Sequence, residues 1–283
     1  VAIGYDAGTN DQHQNCIAIG PHAGKYSQED YAISIGWQAG NVTQGCDCIA
    51  IGRGSGENDQ GIYSIAIGTN SGDKFQGEDC IAIGRLAGSD NQNDYAIAIG
   101  YEAGKYNQDR NCVAIGHQAG YNDQATGGGT PDNWFSVAIG FLAGKDVQNQ
   151  GAIAIGHQAG VAEQDEFGIA IGADAGSNNQ GNEAVAVGYE AGNIDQGNQA
   201  VSVGTNAGNN QQNQYAVAIG GYSGQKNQGE AAVAIGHVAG EEFQTANTII
   251  INATGNAQNG GGNTEGFNTI VINYILKGKF ELQ

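Results

Sequence analysis

The sequence has no methionine and only 4 leucines and 2 prolines among its 283 residues. Helical cores are usually built from Leu, Ala and Met, so this composition excludes a helical bundle. No apolar run approaches the ~18 residues of a transmembrane helix, so we expect no membrane insertion. No signal peptide is visible, and the chain begins inside a repeat at Val1. We therefore expect that a segment upstream of Val1 has been removed.

Basic residues are also scarce, with 10 Lys and Arg against 29 Asp and Glu, for a net charge of -19. A nucleic-acid-binding protein normally presents a basic face, so this class is disfavoured. An anionic membrane surface is a poor partner for the same reason. The simplest interpretation is a soluble chain whose surface charges repel one another.

Glycine is abundant, with 49 residues, and much of it belongs to a 16-residue repeat. The pattern Ile/Val-Ala/Ser-Ile/Val-Gly ends at fifteen glycines from Gly4 to Gly236, and only the step from Gly116 to Gly140 is longer, at 24 residues. A second Gly follows four residues after each, preceded by Ala or Ser. Such a unit is too short for two helices and fits one coil with two short strands and two turns. We predict an all-β parallel β-roll or β-solenoid of about fifteen coils, a rod of roughly 70 Å at ~4.8 Å per coil.

A glutamine occupies the same place in every copy, eight residues after the first Gly. It could form a repeated ligand site. It could instead form an amide ladder, in which each Gln donates to and accepts from the Gln one coil away. We favour the structural ladder, whose members are Gln12, Gln28, Gln44, Gln60, Gln76, Gln92, Gln108, Gln124, Gln148, Gln164, Gln180, Gln196, Gln212, Gln228 and Gln244.

The clearest strand is apolar on both faces. Ile or Val stands one and three residues before the first Gly, as in Ile33 and Ile35, and small residues alternate with them, as in Ala32 and Ser34. Successive strand side chains point to opposite faces, so both faces are expected to be buried. We expect the large residues to pack inside the chain's own coil. The small residues would then form an apolar stripe that other chains cover.

This repeat, Val/Ile-Ala-Ile-Gly followed three residues later by Ala or Ser, resembles the head repeat of YadA-like trimeric autotransporter adhesins. The repeat also occurs in fibre proteins of phages and large DNA viruses. The resemblance covers about Val1 to Gln244. It implies a left-handed β-roll assembled as a homotrimer. It also implies non-enzymatic attachment or fibre work outside the cell, at the cell surface or on a virion.

Two regions depart from the repeat. Residues 125–135 hold the eight-residue insertion, whose candidate ligand loop consists of Thr130, Pro131, Asp132 and Trp134. The loop could contact a cell-surface receptor or a glycan, or it could be a neutral bulge. Residues 245–283 follow the repeat domain 1–244 and contain the echoed segments Asn247–Asn252 and Asn268–Asn273. We interpret 245–283 as a terminal strand that caps the rod or docks a neighbour.

Cysteines and ring-bearing residues also recur in columns. Cys16, Cys48, Cys80 and Cys112 stand two coils apart, roughly 9.6 Å, which is too far for a disulfide within one chain. We expect them to be small buried residues on the smooth face, where they would approach their copies near a trimer axis. The position after the first Gly is rich in rings and Arg, so this column could be a binding stripe or an edge at a subunit junction. Its members include Tyr5, Trp37, Arg53, Arg85, Tyr101, His117, Phe141, His157, Tyr189 and His237.

No catalytic motif stands out. The segment from Gly100 to Lys105 is one residue short of a phosphate-binding loop, and the calcium nonapeptide of RTX-type rolls is absent. We therefore expect no enzyme activity, no cofactor and no metal. The expected function is a non-enzymatic structural fibre or adhesin-like protein whose partners are its own copies. The alternative is an extracellular filament subunit that stacks end to end through an uncapped N-terminus and the C-terminal strand.

Overall fold

The structure is a computed structural model that describes residues 1–125 and 135–252, together with the backbone of the strand Thr269–Asn273. It comprises two compact units, Val1–Gln158 and Ala159–Gln283. The described residues contain strands and turns without any helix, and they form a parallel β-solenoid of about fifteen turns. The predicted all-β solenoid is therefore confirmed.

Each coil contributes two short strands, which we name after their sequences. The apolar strand carries the Ile/Val-Ala/Ser-Ile/Val run and ends before the first Gly of the repeat. A four-residue turn leads to the second Gly, and the glutamine strand then ends on the repeated Gln. Strands of each kind pair in parallel with their counterparts in the neighbouring coils. The apolar strands therefore form one parallel sheet and the glutamine strands form another.

In the unit Val1–Gln158 the apolar strands are Ala2–Ile3, Ile17–Ile19, Ile33–Ile35, Ile49–Ile51, Ile65–Ile67, Ile81–Ile83, Ile97–Ile99, Val113–Ile115, Val137–Ile139 and Ile153–Ile155. Its glutamine strands are Asn10–Gln12, Tyr26–Gln28, Val42–Gln44, Asn58–Gln60, Lys74–Gln76, Asp90–Gln92, Tyr106–Gln108, Asn122–Gln124 and Asp146–Gln148.

In the unit Ala159–Gln283 the apolar strands are Ile169–Ile171, Val185–Val187, Val201–Val203, Val217–Ile219, Val233–Ile235, Thr248–Asn252 and Thr269–Asn273. Its glutamine strands are Ala162–Gln164, Asn178–Gln180, Ile194–Gln196, Asn210–Gln212 and Lys226–Gln228.

The sheet register continues where the sequence period changes. Across the insertion, Val113 pairs with Val137 and Gln124 pairs with Gln148, so 24 residues make one coil there. In the last described coil, Thr248 pairs with Thr269, and the two echoed segments become adjacent parallel strands. The segment 245–283 is described only up to Asn252 and in Thr269–Asn273, so its capping or docking role stays a prediction.

Positive φ angles recur at fixed places in the coil. The first Gly has φ near the value of +133° found at Gly52, which residues with a Cβ rarely adopt. Its Cα also lies against the backbone of the next coil, where a Cβ would collide. Non-Gly residues also occupy the left-handed region, for example Asp59 in the middle of a glutamine strand and Tyr63 in the turn that follows it, and Asp and Asn are common among them.

The expected assignment of the two strand faces is wrong. The small residues, such as Ala82 and Ala98, point into the coil and have no exposed surface, whereas the Ile and Val side chains point outward and stay half-buried or exposed. The interior is narrow because Gln side chains from the opposite strand already cross it. Only small side chains fit beside these amides, so the large aliphatic residues take the outer face.

Adjacent glycines provide a test of this packing. A Cβ at Gly220, whose φ is +121°, would lie 2.7 Å from the carbonyl oxygen of Gly236, whereas at Gly221 the nearest atom would be 3.4 Å away. We expect Gly220→Ala to lower the free energy of unfolding by about 1–3 kcal/mol or more, because the backbone is strained and a neighbour must move. Gly221→Ala should change it by less than about 1 kcal/mol. Urea unfolding of both variants measures the difference, and equal stability would contradict the close coil contact.

Candidate interaction surfaces

The glutamine column lies inside the coil. Gln28, Gln44 and Gln108 have no exposed surface, and the other members are buried in the same way except Gln12, which is half-buried. Most of these side chains reach across the interior to the preceding apolar strand, as Gln92 Nε2 does when it donates to the carbonyl oxygen of Ile81 at 3.0 Å. Many also bind a carbonyl four residues ahead, such as that of Ala96 at 3.1 Å from Gln92.

The same amides are linked from coil to coil. In the unit Val1–Gln158 each Nε2 from Gln12 to Gln124 donates to the Oε1 of the next Gln at 2.9–3.2 Å. In the unit Ala159–Gln283 the series runs from Gln164 to Gln244 at 2.9–3.2 Å. Because these amides are enclosed and bonded to protein groups, the geometry favours the ladder over a repeated ligand site.

Serine replaces the central Ala of the apolar strand at two described positions, and both contact the ladder. Ser34 Oγ donates to Gln44 Oε1 at 2.6 Å, and Ser202 Oγ donates to Gln212 Oε1 at 2.7 Å. An amide oxygen has two lone pairs, so it can accept from the hydroxyl and from the neighbouring Gln together. At the centre of the apolar strand, the ladder therefore provides the partner that a buried hydroxyl needs, whereas buried serines elsewhere, such as Ser64, donate to backbone carbonyls.

Removal of one ladder member should destabilise the fold. In Gln92→Ala, the buried Oε1 of Gln108 loses its inter-coil donor and the Nε2 of Gln76 loses an acceptor, and a cavity forms. We expect a loss of about 2–5 kcal/mol in the free energy of unfolding. The control is Gln214→Ala, which removes an exposed inter-coil bond to Glu230 and should cost at most about 1 kcal/mol. Chemical unfolding compares them, and similar losses would contradict a special role of the interior column.

The cysteine columns lie on the interior face, as the sequence predicts for small buried residues. All five thiols are free, and the side chains of Cys48, Cys80 and Cys112 have no exposed surface. The thiols of Cys48 and Cys80 donate to carbonyl oxygens of the next coil, at 2.7 Å to Gly61 and 2.9 Å to Asn93. The expected approach to a trimer axis is therefore wrong, because these thiols face the inside of their own chain.

Burial also changes the acidity of these thiols. Desolvation raises the pKa of Cys48 and of Cys80 to about 12, and that of Cys112 to about 11. Cys46 is half-buried, and a hydrogen bond to the carboxylate of Glu29 at 3.1 Å raises its pKa as well. The interior thiols are thus neutral in the folded chain at physiological pH.

Thiol modification should follow this order of accessibility. At pH 8 we expect Ellman's reagent to modify Cys46 first and the four buried thiols only on unfolding. Stability should be fully present below the ordinary thiol pKa of 9.0 and should fall from pH 9 to 12, since only the unfolded chain ionises there. Glu29→Gln should speed the reaction of Cys46. Rapid modification of all five thiols in the folded chain would contradict the described interior.

The outward Ile and Val side chains form an apolar face. In several coils the residue directly before the first Gly is the more exposed of the pair, with Ile83 36% and Ile219 40% exposed. The register aligns these side chains from coil to coil, as in the pairs Ile65 with Ile81 and Ile67 with Ile83. We call this surface the Ile/Val face. It is apolar, regular and left open by the single chain.

The corner position after the first Gly forms a stack in the unit Val1–Gln158. The guanidinium of Arg85 lies 4.3 Å from the ring centre of Tyr101, which contacts His117 at 5.0 Å between centroids. His117 stacks on Phe141 at 5.1 Å, and Phe141 stacks on His157 at 5.2 Å and 11°. Stacked rings turn their edges outward, whereas a sugar platform needs open ring faces. This stretch favours a stabilising stack over a glycan platform.

The residues two and five places after the first Gly line a polar strip that the sequence analysis missed. We call it the polar corridor. Lys25 Nζ binds Asp6 at 3.1 Å, and Lys105 Nζ binds Glu102 at 2.9 Å. Burial alone would raise the pKa of Glu102, but hydrogen bonds from Lys105 and Gln118 outweigh it and hold the pKa below its ordinary value. The sequence does contain a sign of this strip, because acidic and basic residues recur two and five places after the first Gly.

The aromatic residues five places before the first Gly are exposed, as Tyr31, Tyr63 and Tyr95 show, so they do not fill the interior. Thr130, Pro131, Asp132 and Trp134 lie outside the described residues, so the candidate ligand loop stays a prediction. Within 1–125 and 135–252, no three His, Cys, Asp or Glu side chains are grouped so that they could hold a metal ion. No helix in this part of the chain is long and apolar enough to span a membrane.

Comparison with protein-family models, with curated proteins and with solved structures finds no match for this chain.

Proposed function

We propose that this chain is a non-enzymatic structural protein, a fibre or adhesin-like component that mediates attachment or fibre building. It acts outside the cell, at a cell surface or on a virion, as a homotrimer. Its partners are copies of itself, and the 125–135 loop is the site where a receptor or glycan binds. The homotrimer and the location are proposed from the repeat resemblance. The contact between chains is proposed from the exposed surface of the described coils.

The Ile/Val face carries this proposal. A monomeric soluble protein rarely leaves more than a few hundred Å² of contiguous apolar surface open. Here each coil adds one half-exposed Ile or Val pair to the same face, as at Ile81 and Ile83. Because the face repeats with every coil, its size grows with the number of coils. Association that covers it is therefore favoured by the hydrophobic effect.

A second copy of the chain is the best match for this face. Any partner must present apolar groups at the coil spacing over many coils. Another copy of the chain meets this requirement because it carries the same face with the same spacing. Association of whole faces also compensates for a weak interior, because the buried side chains inside the coil are mainly Ala and Gln. We infer that burial between chains supplies stability that one chain's interior lacks.

Polar substitutions on the Ile/Val face test the proposal. We expect the unchanged chain to elute with three times the chain mass of 29.0 kDa. The double variant Ile51→Ser/Ile83→Ser should shift toward the monomer, because two apolar contacts per chain are lost at each interface. The matched control is Phe75→Ser, which removes an exposed ring outside this face. Size-exclusion chromatography with light scattering gives the masses.

Each outcome is decisive for the assembly. A monomeric unchanged chain would contradict the proposal, as would equal dissociation of the face variant and the Phe75→Ser control. Negative-stain electron microscopy of the same samples adds a second test. Discrete particles support the fibre-component proposal, whereas long filaments of uniform width would favour the alternative of a self-assembling filament subunit.

A further inference from the structure

A line of exposed aromatic side chains runs along the unit Val1–Gln158 at intervals of two coils. Tyr31, Tyr63, Tyr95 and Phe135 all stand five residues before the first Gly of their repeat, in every second coil. Their exposed fractions are 58%, 55%, 53% and 44%. Because the coils stack at ~4.8 Å, consecutive members are spaced by roughly 9.6 Å. We call this set the aromatic line.

The backbone at these tyrosines has a conformation that bulky side chains disfavour. Tyr31, Tyr63 and Tyr95 have φ angles of +62°, +59° and +62°. Residues with large side chains rarely adopt this left-handed region, whereas Asn and Asp tolerate it. The intervening coils carry such tolerant residues at the same place, for example Asp47 and Asp79. A tyrosine in every second coil therefore costs stability that an Asn or Asp would not cost.

The structure describes no aromatic or cationic contact that compensates for this strain. None of the ring–ring and cation–ring contacts within residues 1–125 involves one of the three tyrosines. More than half of each tyrosine is open to solvent. The corner stack is different, since Tyr101 there contacts both Arg85 and His117. Strained, exposed rings without such contacts are expected where a surface binds a partner.

Acidic side chains alternate with the rings. Asp79 stands between Tyr63 and Tyr95 in the column, and it is exposed. Hydrogen bonds from coil to coil fix this succession. The N–H of Asp79 donates to the carbonyl oxygen of Ile62 at 3.0 Å, and the N–H of Tyr95 donates to that of Glu78 at 2.9 Å. No ion pair within residues 1–125 involves Asp79, so its carboxylate can accept from a bound molecule.

We propose that the aromatic line binds a neutral, extended β-1,4-linked glycan. A sugar ring has an apolar C–H face that stacks on an aromatic ring, and hydroxyl groups at its edge that donate to carboxylates. In an extended β-1,4-linked chain every second sugar presents the same face, and the length of two sugars is close to the two-coil spacing. Stacking then recurs at each ring, and the sugars between offer donors to Asp47 and Asp79. The net charge of -19 disfavours an anionic glycan.

This site goes beyond the loop of residues 125–135, because the three tyrosines lie on the coils themselves. It also requires no second chain, since the aromatic line belongs to one chain. The assembly through the Ile/Val face and the glycan site are therefore separate proposals that separate measurements decide.

A proline-rich peptide is the competing occupant. Its polyproline II helix has three residues per turn and ~3.1 Å per residue, so a pitch of ~9.3 Å also fits the line. Proline has no N–H, however, so such a peptide has few donors for Asp47 and Asp79. A glycan donates from every sugar, and the alternation of rings and acceptors therefore favours the glycan.

Calorimetric titration of the full chain with soluble β-1,4-linked hexasaccharides of glucose and of N-acetylglucosamine tests the proposal. We expect saturable binding of at least one of them. The matching disaccharide should bind more weakly, because a hexasaccharide reaches several rings at once. The control ligand is the α-1,4-linked hexasaccharide of glucose, whose chain coils and does not keep the spacing of the rings.

Variants separate a binding role from a structural one. Tyr63→Asn and Tyr95→Asn place a tolerant residue at a left-handed position, so the melting temperature should stay the same or rise. Each should weaken hexasaccharide binding about 3–10-fold, the effect of one ring contact. The matched control is Phe75→Asn, which removes a 58% exposed ring with a φ of +51° outside the line and should leave binding unchanged.

Several outcomes would overturn the proposal. They are no saturable binding of either β-linked hexasaccharide, equal binding of the α-linked one, equal losses in Phe75→Asn and Tyr63→Asn, and binding of a proline-rich peptide in place of the glycans. Light scattering of the tyrosine variants should give the mass of the unchanged chain, because no member of the line belongs to the Ile/Val face. A smaller mass would assign the tyrosines to the contact between chains and would also overturn the glycan site.

Discussion

The width of the coil interior is the constraint on which the rest of the structure depends. Two strands face each other across a space that a single glutamine side chain spans, as the bond from Gln124 to the carbonyl of Val113 shows. Where an amide crosses the coil, the opposite face holds only small residues, and a large one, Ile250, takes that place only in the coil that follows the last glutamine. Glycine at the first corner has a separate cause, the close stacking of successive coils, since the neighbouring coil's backbone lies against its Cα. The large aliphatic side chains are left for the outside.

This arrangement changes which interactions stabilise the fold. A typical β core buries many Val, Ile and Leu side chains, whereas here the largest fully buried side chains are almost all glutamines. Each amide is bonded along the column and to the backbone, so the interior is satisfied but gains little from apolar burial. The outward Ile and Val residues hold most of the remaining apolar surface. The narrow coil interior therefore accounts both for the polar interior and for the outward apolar residues on which the proposed assembly depends.

The sequence was sufficient to predict the solenoid, the coil length, both strands and the inter-coil bonds of Gln28 or Gln92, because strict periodicity directly reports stacked, identical units. It was not sufficient to assign the faces of a strand such as Ile81–Ile83. Alternation separates two faces, but both are apolar, and only the coil's width decides which one is enclosed. The corridor pair Glu102 and Lys105 was missed because its members vary between coils. The loop residue Trp134 lies outside the described residues, so its role stays a prediction.

The 24-residue step between Val113 and Val137 shows that coil pairing does not depend on a constant number of residues. Strands on both sides of the insertion keep their partners, and Gln124 still donates to Gln148. Peptide length at this corner is thus uncoupled from the order inside the coil. A corner of this kind can hold peptides of different length and sequence while the strands and the glutamine column of the coil stay the same. The array is in this sense a scaffold that can carry varied surface peptides on a constant interior.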